Sequence, residues 1–136
     1  MNEYKRVNND KLKSKNKCLK VTKEYMELGK AIVIDNTNPD ISSREPYIKI
    51  AKEYGYKVIA FDIKIEKDLC MKMDFLRKIN QNRDHLSKKV GSIPIHVFYK
   101  KYQEPILEEG FDEIYKVHPK FNPINEAERK FLNLYF

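Results

Sequence analysis

A run of four apolar residues, Ala31-Ile32-Val33-Ile34, ends in Asp35 and then in the polar turn Asn36-Thr37-Asn38-Pro39-Asp40. A carboxylate, a hydroxyl and an amide follow one another where an apolar segment stops. A strand with no polar face is expected to be buried on both sides, as in the middle of a parallel sheet covered by helices. In such sheets ligands bind beyond the carboxyl ends of the strands. That position offers Asp35, Thr37 and Asn38 to a ligand. The same residues also fit a structural reading, a buried strand closed by an Asx turn with Asp35 as a cap. A second acid, Asp10, closes Val7-Asn8-Asn9-Asp10 and can cap a following helix. Cysteine chemistry is a poorer fit. Cys18 and Cys70 are too few and too far apart for a disulfide framework or a zinc site, and are expected to be buried free thiols in helices.

Elements must hold these residues in place. Residues 4–7 read as a short strand. From Lys11 to Leu28 the apolar positions, among them Leu12, Cys18, Leu19, Val21, Tyr25 and Met26, recur at helical spacing. Asp10 can cap that helix, and Gly29 sits where a left-handed residue closes it. After the strand at 31–35, a helix runs from Asp40 to Gly55 with Pro46 near its first turn, and 57–63 is another apolar strand. A helix over 66–79, a basic loop over 80–92, a short helix over 93–102 and a strand over 113–117 follow. An appended helix spans 125–136, whose Phe131 must pack on something. Strands alternating with helices across short, Gly-closed joints are the signature of βαβ units and a parallel sheet, an α/β fold.

Composition sets the outer bounds. With 136 residues, 41% of them hydrophobic, there is room for one domain and a core. No apolar run is long enough to span a bilayer, and the opening residues lack the apolar core of a secretion signal, so an intracellular protein is expected. The net charge is +7, with 22 lysines against five arginines. Residues 1–30 hold nine bases and four acids, residues 71–101 eight bases and two acids, and residues 104–114 five acids and no base. Two positive regions and one negative one suit a polyanionic ligand held on one side; a solvated, lysine-rich surface accounts for the charge equally well.

Two stretches go beyond pattern: Val33-Ile34-Asp35-Asn36-Thr37-Asn38-Pro39-Asp40 with Ser43-Arg44, and Ile93-Pro94 with Phe98-Tyr99-Lys100-Lys101-Tyr102-Gln103-Glu104-Pro105 and Glu108-Glu109-Gly110-Phe111. In this order they resemble the kinase domain of polynucleotide kinase 3′-phosphatases, over residues 4–117. The resemblance implies an incomplete P-loop-kinase-like, three-layer α/β fold with a parallel sheet covered by helices, and transfer of the γ-phosphate of ATP, with Mg²⁺, to the 5′-hydroxyl of a nucleic acid. It implies that Asp10, in a V-N-x-D pattern, is the general base, and that Asp35 is a weak, water-mediated metal partner beside Thr37 and Asn38 in the substrate site. It places Arg44 against the nucleic-acid strand. Helix 66–79 becomes the lid, with Arg77 gripping phosphate and Lys72 standing in for a polar lid residue.

The departures from the family pattern are specific. Asn9 stands where family members have arginine, and Phe75 replaces a second lid arginine, for which Arg83 or His85 in the loop could compensate. No G-x-x-x-x-G-K-[ST] occurs; the glycines are Gly29, Gly55, Gly91 and Gly110, and none opens a Lys-Ser/Thr turn. The expectation is therefore a kinase-like domain over 1–118 with a tail over 119–136. It would be part of an ATP-dependent polynucleotide 5′-hydroxyl kinase of DNA end repair, with the P-loop and phosphatase portions elsewhere. Its partners would be single-stranded DNA or RNA 5′ ends, with no membrane partner, and its location nuclear if eukaryotic. ATP and Mg²⁺ would serve the complete enzyme and neither would bind tightly here. The alternative is a kinase-derived pseudoenzyme that acts as a nucleic-acid-binding module. Without a P-loop strand between them, the strands at 31–35 and 57–63 are expected to pair directly or to leave an open central slot.

Overall fold

A computed structural model describes residues 3–79, 90–120, 122–123 and 125–133. The strand Lys5–Val7 (β1) leads into a four-residue helix, Asn9–Leu12 (α1), and a longer one, Lys15–Glu27 (α2). Then come Ile32–Ile34 (β2), Ile41–Glu53 (α3), Ile59–Ile63 (β3), Lys67–Ile79 (α4), Ser92–Lys101 (α5), Glu113–Val117 (β4) and Glu126–Asn133 (α6). This is the expected alternation of strands and helices. Two compact units divide the chain: Met1–Asp62 with Tyr102–Tyr115, and Ile63–Lys101 with Lys116–Phe136.

In the first unit, β1 and β2 pair in parallel with Lys5 beside Ile32, Arg6 beside Val33 and Val7 beside Ile34. Helices α2 and α3 cover one face. Val7, Cys18 and Tyr47 form the centre of that core, with Leu12, Leu19, Val21, Tyr25, Ile32 and Ile34 around it. Met26, Ile50 and Ala51 continue it towards Tyr56 and Val58. Cys18 is fully buried as expected, whereas Cys70, in α4, is only half-buried; both are free thiols.

The helix expected over 11–28 is two helices. Lys13 takes a left-handed φ of 61° and ends α1, and Ser14 caps α2 by accepting the Lys17 amide. Asn8 caps α1, its Oδ1 accepting the Lys11 amide at 3.1 Å, so the cap assigned to Asp10 belongs to Asn8. The physical reason is the density of cap-forming side chains between 8 and 14, which offers the backbone two helix starts. Gly29, with φ +65°, follows the end of α2, where a left-handed residue is expected.

The expectation of strands buried on both sides does not hold. Ile32 and Ile34 are half-buried but Val33 is 45% exposed, and in β3 Phe61 is 66% exposed while Asp62 is buried. Nor do β2 and β3 pair directly. The described strands form two separate two-stranded sheets, β1–β2 and β3–β4. Each strand has two edges, so these pairings leave one edge of β2 and one of β3 without a ladder partner among the described residues, as where a strand between them would lie. With helices on a single face, alternate residues of an apolar run stay open to solvent.

In the second unit, Asp74 of α4 is buried and accepts the backbone amides of Val90 at 2.6 Å and Gly91 at 2.9 Å, fixing the chain just before α5. Phe131 of α6 stacks on Phe75 of α4, ring centroids 6.1 Å apart. The appended helix therefore has its packing partner in Phe75. Among the described residues no helix is long and apolar enough to cross a membrane.

Candidate functional site

Parallel pairing puts the carboxyl ends of β1 and β2 side by side, so the segments that leave them, Asn8–Asp10 and Asp35–Asp40, emerge together. The sequence binds them to each other with its asparagines. Asn8 Nδ2 donates to the Asp35 carbonyl at 2.7 Å, and the Asn9 amide donates to Asn36 Oδ1 at 2.7 Å. Asn36 Nδ2 in turn donates to the Tyr47 hydroxyl at 3.4 Å. Burial, with a smaller contribution from Cys18, pushes the Tyr47 phenol up to about 12, so it stays a neutral acceptor at ordinary pH. The turn that carries Asp10 is thereby tied through Asn36 to α3 and the core.

Asp10 itself is exposed, and no hydrogen bond or ion pair among the described residues engages its carboxylate. A carboxylate held on a fixed turn with its oxygens unclaimed can orient a hydroxyl and accept its proton. Asp35 is in a different state. Arg6 Nε and Nη2 both reach its Oδ2, at 2.6 and 2.5 Å, and the pair is about half exposed. Such a pair adds little stability, but it neutralises the carboxylate and fixes its direction. Thr37 is exposed beside it, and Asn38 takes a left-handed φ of 40° with its carbonyl turned towards Arg44.

Arg44, expected against the nucleic-acid strand, is buried and spent on the protein itself. Its Nε and Nη2 donate to the two oxygens of Glu109 at 2.8 and 2.7 Å. Its Nη1 donates to the carbonyls of Asn38 at 3.2 Å and Gln103 at 3.0 Å. Gln103 closes the joint: its amide donates to the Pro39 carbonyl at 2.7 Å and its Oε1 accepts the Ile41 amide at 3.0 Å. Asp40 and Ser43 cap α3 reciprocally at the same corner. The conspicuous residues of both motif stretches thus lock the 35–44 turn to the 103–110 segment. Gly110 completes the fit, since a Cβ there would lie 2.8 Å from Ile48 Cγ2.

Lys72 and Arg77 belong to the second unit, on α4; Lys72 is half-buried, and Arg77 is exposed with no partner among the described residues. Arg83 and His85 lie outside the described residues. Sequence reasoning does not assign Arg6, Gln103 or Glu109 to the site. Gln103 and Glu109 sit inside the second motif stretch, but only the fold pairs them with residues some 60 positions earlier. The residues present do not fit a nucleotide–magnesium site. No glycine cradle exists, Asp35 is already neutralised by Arg6, and no group of three His, Cys, Asp or Glu side chains converges among the described residues.

An AAA domain family model matches residues 2–90. The chain belongs to the AAA domain family. This AAA domain has the P-loop-kinase-like α/β character that its parallel β1–β2 pair and covering helices display. The chain is 36% identical over 114 residues to the bifunctional polynucleotide phosphatase/kinase of Schizosaccharomyces pombe, covering 84% of this chain and 27% of that protein. It is 38% identical over 114 residues to a protein of Acanthamoeba polyphaga mimivirus that bears the same name provisionally, covering 83% of this chain and 27% of that one. It thus spans about a quarter of the length of these curated relatives, and resembles a kinase-domain portion of them.

Proposed function

We propose that this AAA domain is the acceptor-side part of a polynucleotide 5′-hydroxyl kinase, acting on 5′ ends of DNA or RNA in strand-break processing. The single observation that carries the reading is Asp10: an exposed carboxylate without a partner among the described residues, in the first turn of α1, which Asn9 anchors to Asn36, at the shared carboxyl ends of two parallel strands. Asp10 would hold the terminal hydroxyl and take its proton as the oxygen attacks phosphorus. Thr37 and the Arg6-clamped Asp35 would border the terminal nucleotide. Arg44 would position the turn from behind rather than touch the strand. Arg77 remains the proposed phosphate-gripping residue of α4. ATP supplies the phosphoryl group in the proposed reaction, and these residues do not include the loop that would bind it. The names of the two relatives support this reading.

The absence of a phosphate cradle in the sequence favours one second reading, a kinase-derived module that binds nucleic acid without transferring phosphate. Titration of isotope-labelled protein with matched oligonucleotides separates the two. The kinase reading expects chemical-shift changes at Asp10 and Thr37 that are larger for a 5′-hydroxyl than for a 5′-phosphate end. Binding with equal response to both ends supports the module instead. No response at Asp10 or Thr37 to either end refutes the assignment of this turn as the acceptor site.

A further inference from the structure

The core of the first unit holds polar groups that close packing alone does not require. Cys18 and Thr22 on α2 are fully buried, and Tyr47 on α3 is 8% exposed. Thr22 is spent locally, its hydroxyl donating to the Cys18 carbonyl one turn back at 2.7 Å. Cys18 and Tyr47 instead reach the two segments that leave β1 and β2. The Cys18 thiol donates to Asn9 Oδ1 at 3.9 Å, the long range of a weak sulfur donor. The Asn9 amide donates to Asn36 Oδ1 at 2.7 Å, and Asn36 Nδ2 donates to the Tyr47 hydroxyl at 3.4 Å. The Tyr47 hydroxyl lies against the Cys18 sulfur, so Asn9, Asn36, Tyr47 and Cys18 close a loop. The loop has a fixed sense. A backbone amide only donates, so Asn36 must turn its oxygen to Asn9 and its NH₂ to Tyr47, whose oxygen accepts. The tyrosine proton is then left for sulfur, and the thiol proton for Asn9 Oδ1. Hydroxyl and thiol, which both donate and accept, stand at the two links that need both.

We infer that Asn36, Tyr47 and Cys18 are positioning residues for Asp10, holding the Asn9 backbone and side chain together and so fixing the carboxylate of the next residue; the inference rests on the acceptor-site reading above. Asp10 has no partner of its own among the described residues, so its direction comes from the backbone that carries it. That backbone is held at Asn9 by the loop and at Asn8 by a second pair of bonds. Asn8 Nδ2 donates to the Asp35 carbonyl at 2.7 Å and its Oδ1 accepts the Lys11 amide at 3.1 Å. Asn8 ties the turn to the neighbouring strand, whereas the loop alone ties it to α2 and α3. A general base must meet its hydroxyl within about 2.6–3.2 Å, and small displacements are costly at that range. Tyr47→Phe and Cys18→Ala largely keep the apolar packing and break the loop, which separates positioning from core filling.

The test uses the full isotope-labelled chain, first free and then with oligonucleotides ending in a 5′-hydroxyl or a 5′-phosphate. Losing one hydrogen bond of ordinary net strength weakens the loop by roughly three- to ten-fold. Tyr47→Phe, Cys18→Ala and Asn36→Ala are each expected to speed exchange of the Asn9 amide hydrogen by about that factor. The backbone order parameters of Asn9 and Asp10 should fall from the rigid range near about 0.85 towards about 0.6. Cys18→Ser, which restores a donor and acceptor, should recover most of the protection lost in Cys18→Ala. In the titration, Tyr47→Phe should lose the larger response of Asp10 to the 5′-hydroxyl end. Ile50→Val is the control, since it trims a buried side chain of α3 outside the loop and should leave Asn9 and Asp10 unchanged. Equal loosening in Ile50→Val overturns the inference, because general destabilisation would then account for the effect. An unchanged Asn9 amide in both Tyr47→Phe and Cys18→Ala also overturns it. Loosening in Tyr47→Phe that leaves the end preference intact refutes the positioning role alone. A parent chain whose Asp10 responds to neither end refutes the acceptor-site reading and the positioning role together, so the two failures are distinguishable.

Discussion

Removing the Glu109 carboxylate is expected to be among the most damaging single changes in the first unit. Arg44 and Glu109 side chains are 9% and 4% exposed, and the pair is bidentate at 2.8 and 2.7 Å. Glu109→Ala leaves a buried guanidinium with only the carbonyls of Asn38 and Gln103 as acceptors. Breaking a buried pair by deleting one partner costs about 3–5 kcal/mol. The two remaining carbonyl bonds argue for the lower end, about 3 kcal/mol, or a fall in Tm of roughly 10 °C for a chain of this length. Glu109 Oε1 also accepts the Ile106 amide at 3.2 Å, so the 103–110 segment should loosen as well. Urea denaturation followed by circular dichroism measures the loss. The double variant Arg44→Met/Glu109→Leu is expected to recover much of it, since an apolar pair leaves no unpaired charge. A Glu109→Ala cost below about 1 kcal/mol would refute the buried-joint account and return Arg44 to the nucleic-acid surface.

Asp10→Asn should leave stability within about 0.5 kcal/mol, because the side chain is exposed and has no partner among the described residues; within a complete kinase it should lower kcat by roughly 10²–10⁴ with ATP affinity little changed. The chain by itself is expected to transfer no labelled phosphate to a 5′-hydroxyl oligonucleotide, and metal-dependent transfer abolished by Asp10→Ala would contradict that expectation. Gly110→Ala should cost about 1–3 kcal/mol in denaturant melts, from a φ of +111° and a Cβ 2.8 Å from Ile48 Cγ2. Tyr47 and Tyr99 are both pushed up to about 12, chiefly by burial, so the folded state holds their protons more tightly than the unfolded chain does. The stability this provides is complete below pH 10 and is lost as pH rises from about 10 towards 12. Tm across that window should fall in the parent chain and fall less in Tyr47→Phe/Tyr99→Phe.

Much of the architecture is legible in the amino-acid order alone. Apolar runs at 31–35 and 57–63, helical spacing between them and Gly29 at a left-handed joint specify strands and helices through local periodicity and backbone preference, which neighbours in sequence determine. The acids at strand ends and the two motif stretches are equally visible, because residue type and order are all that a motif needs. What the motifs do is not. Arg44 reads as a ligand-facing arginine, yet the fold buries it on Glu109; Asp10 reads as a cap, yet Asn8 takes that place. Arg6 joins the site only because the β1–β2 register sets its strand beside Asp35. The open faces of Val33 and Phe61 likewise depend on which elements cover each strand. Ion pairing, burial and strand cover arise between residues far apart in the chain. They are fixed when tertiary packing decides which polar group loses water and which partner compensates it, and a linear pattern carries no record of that choice.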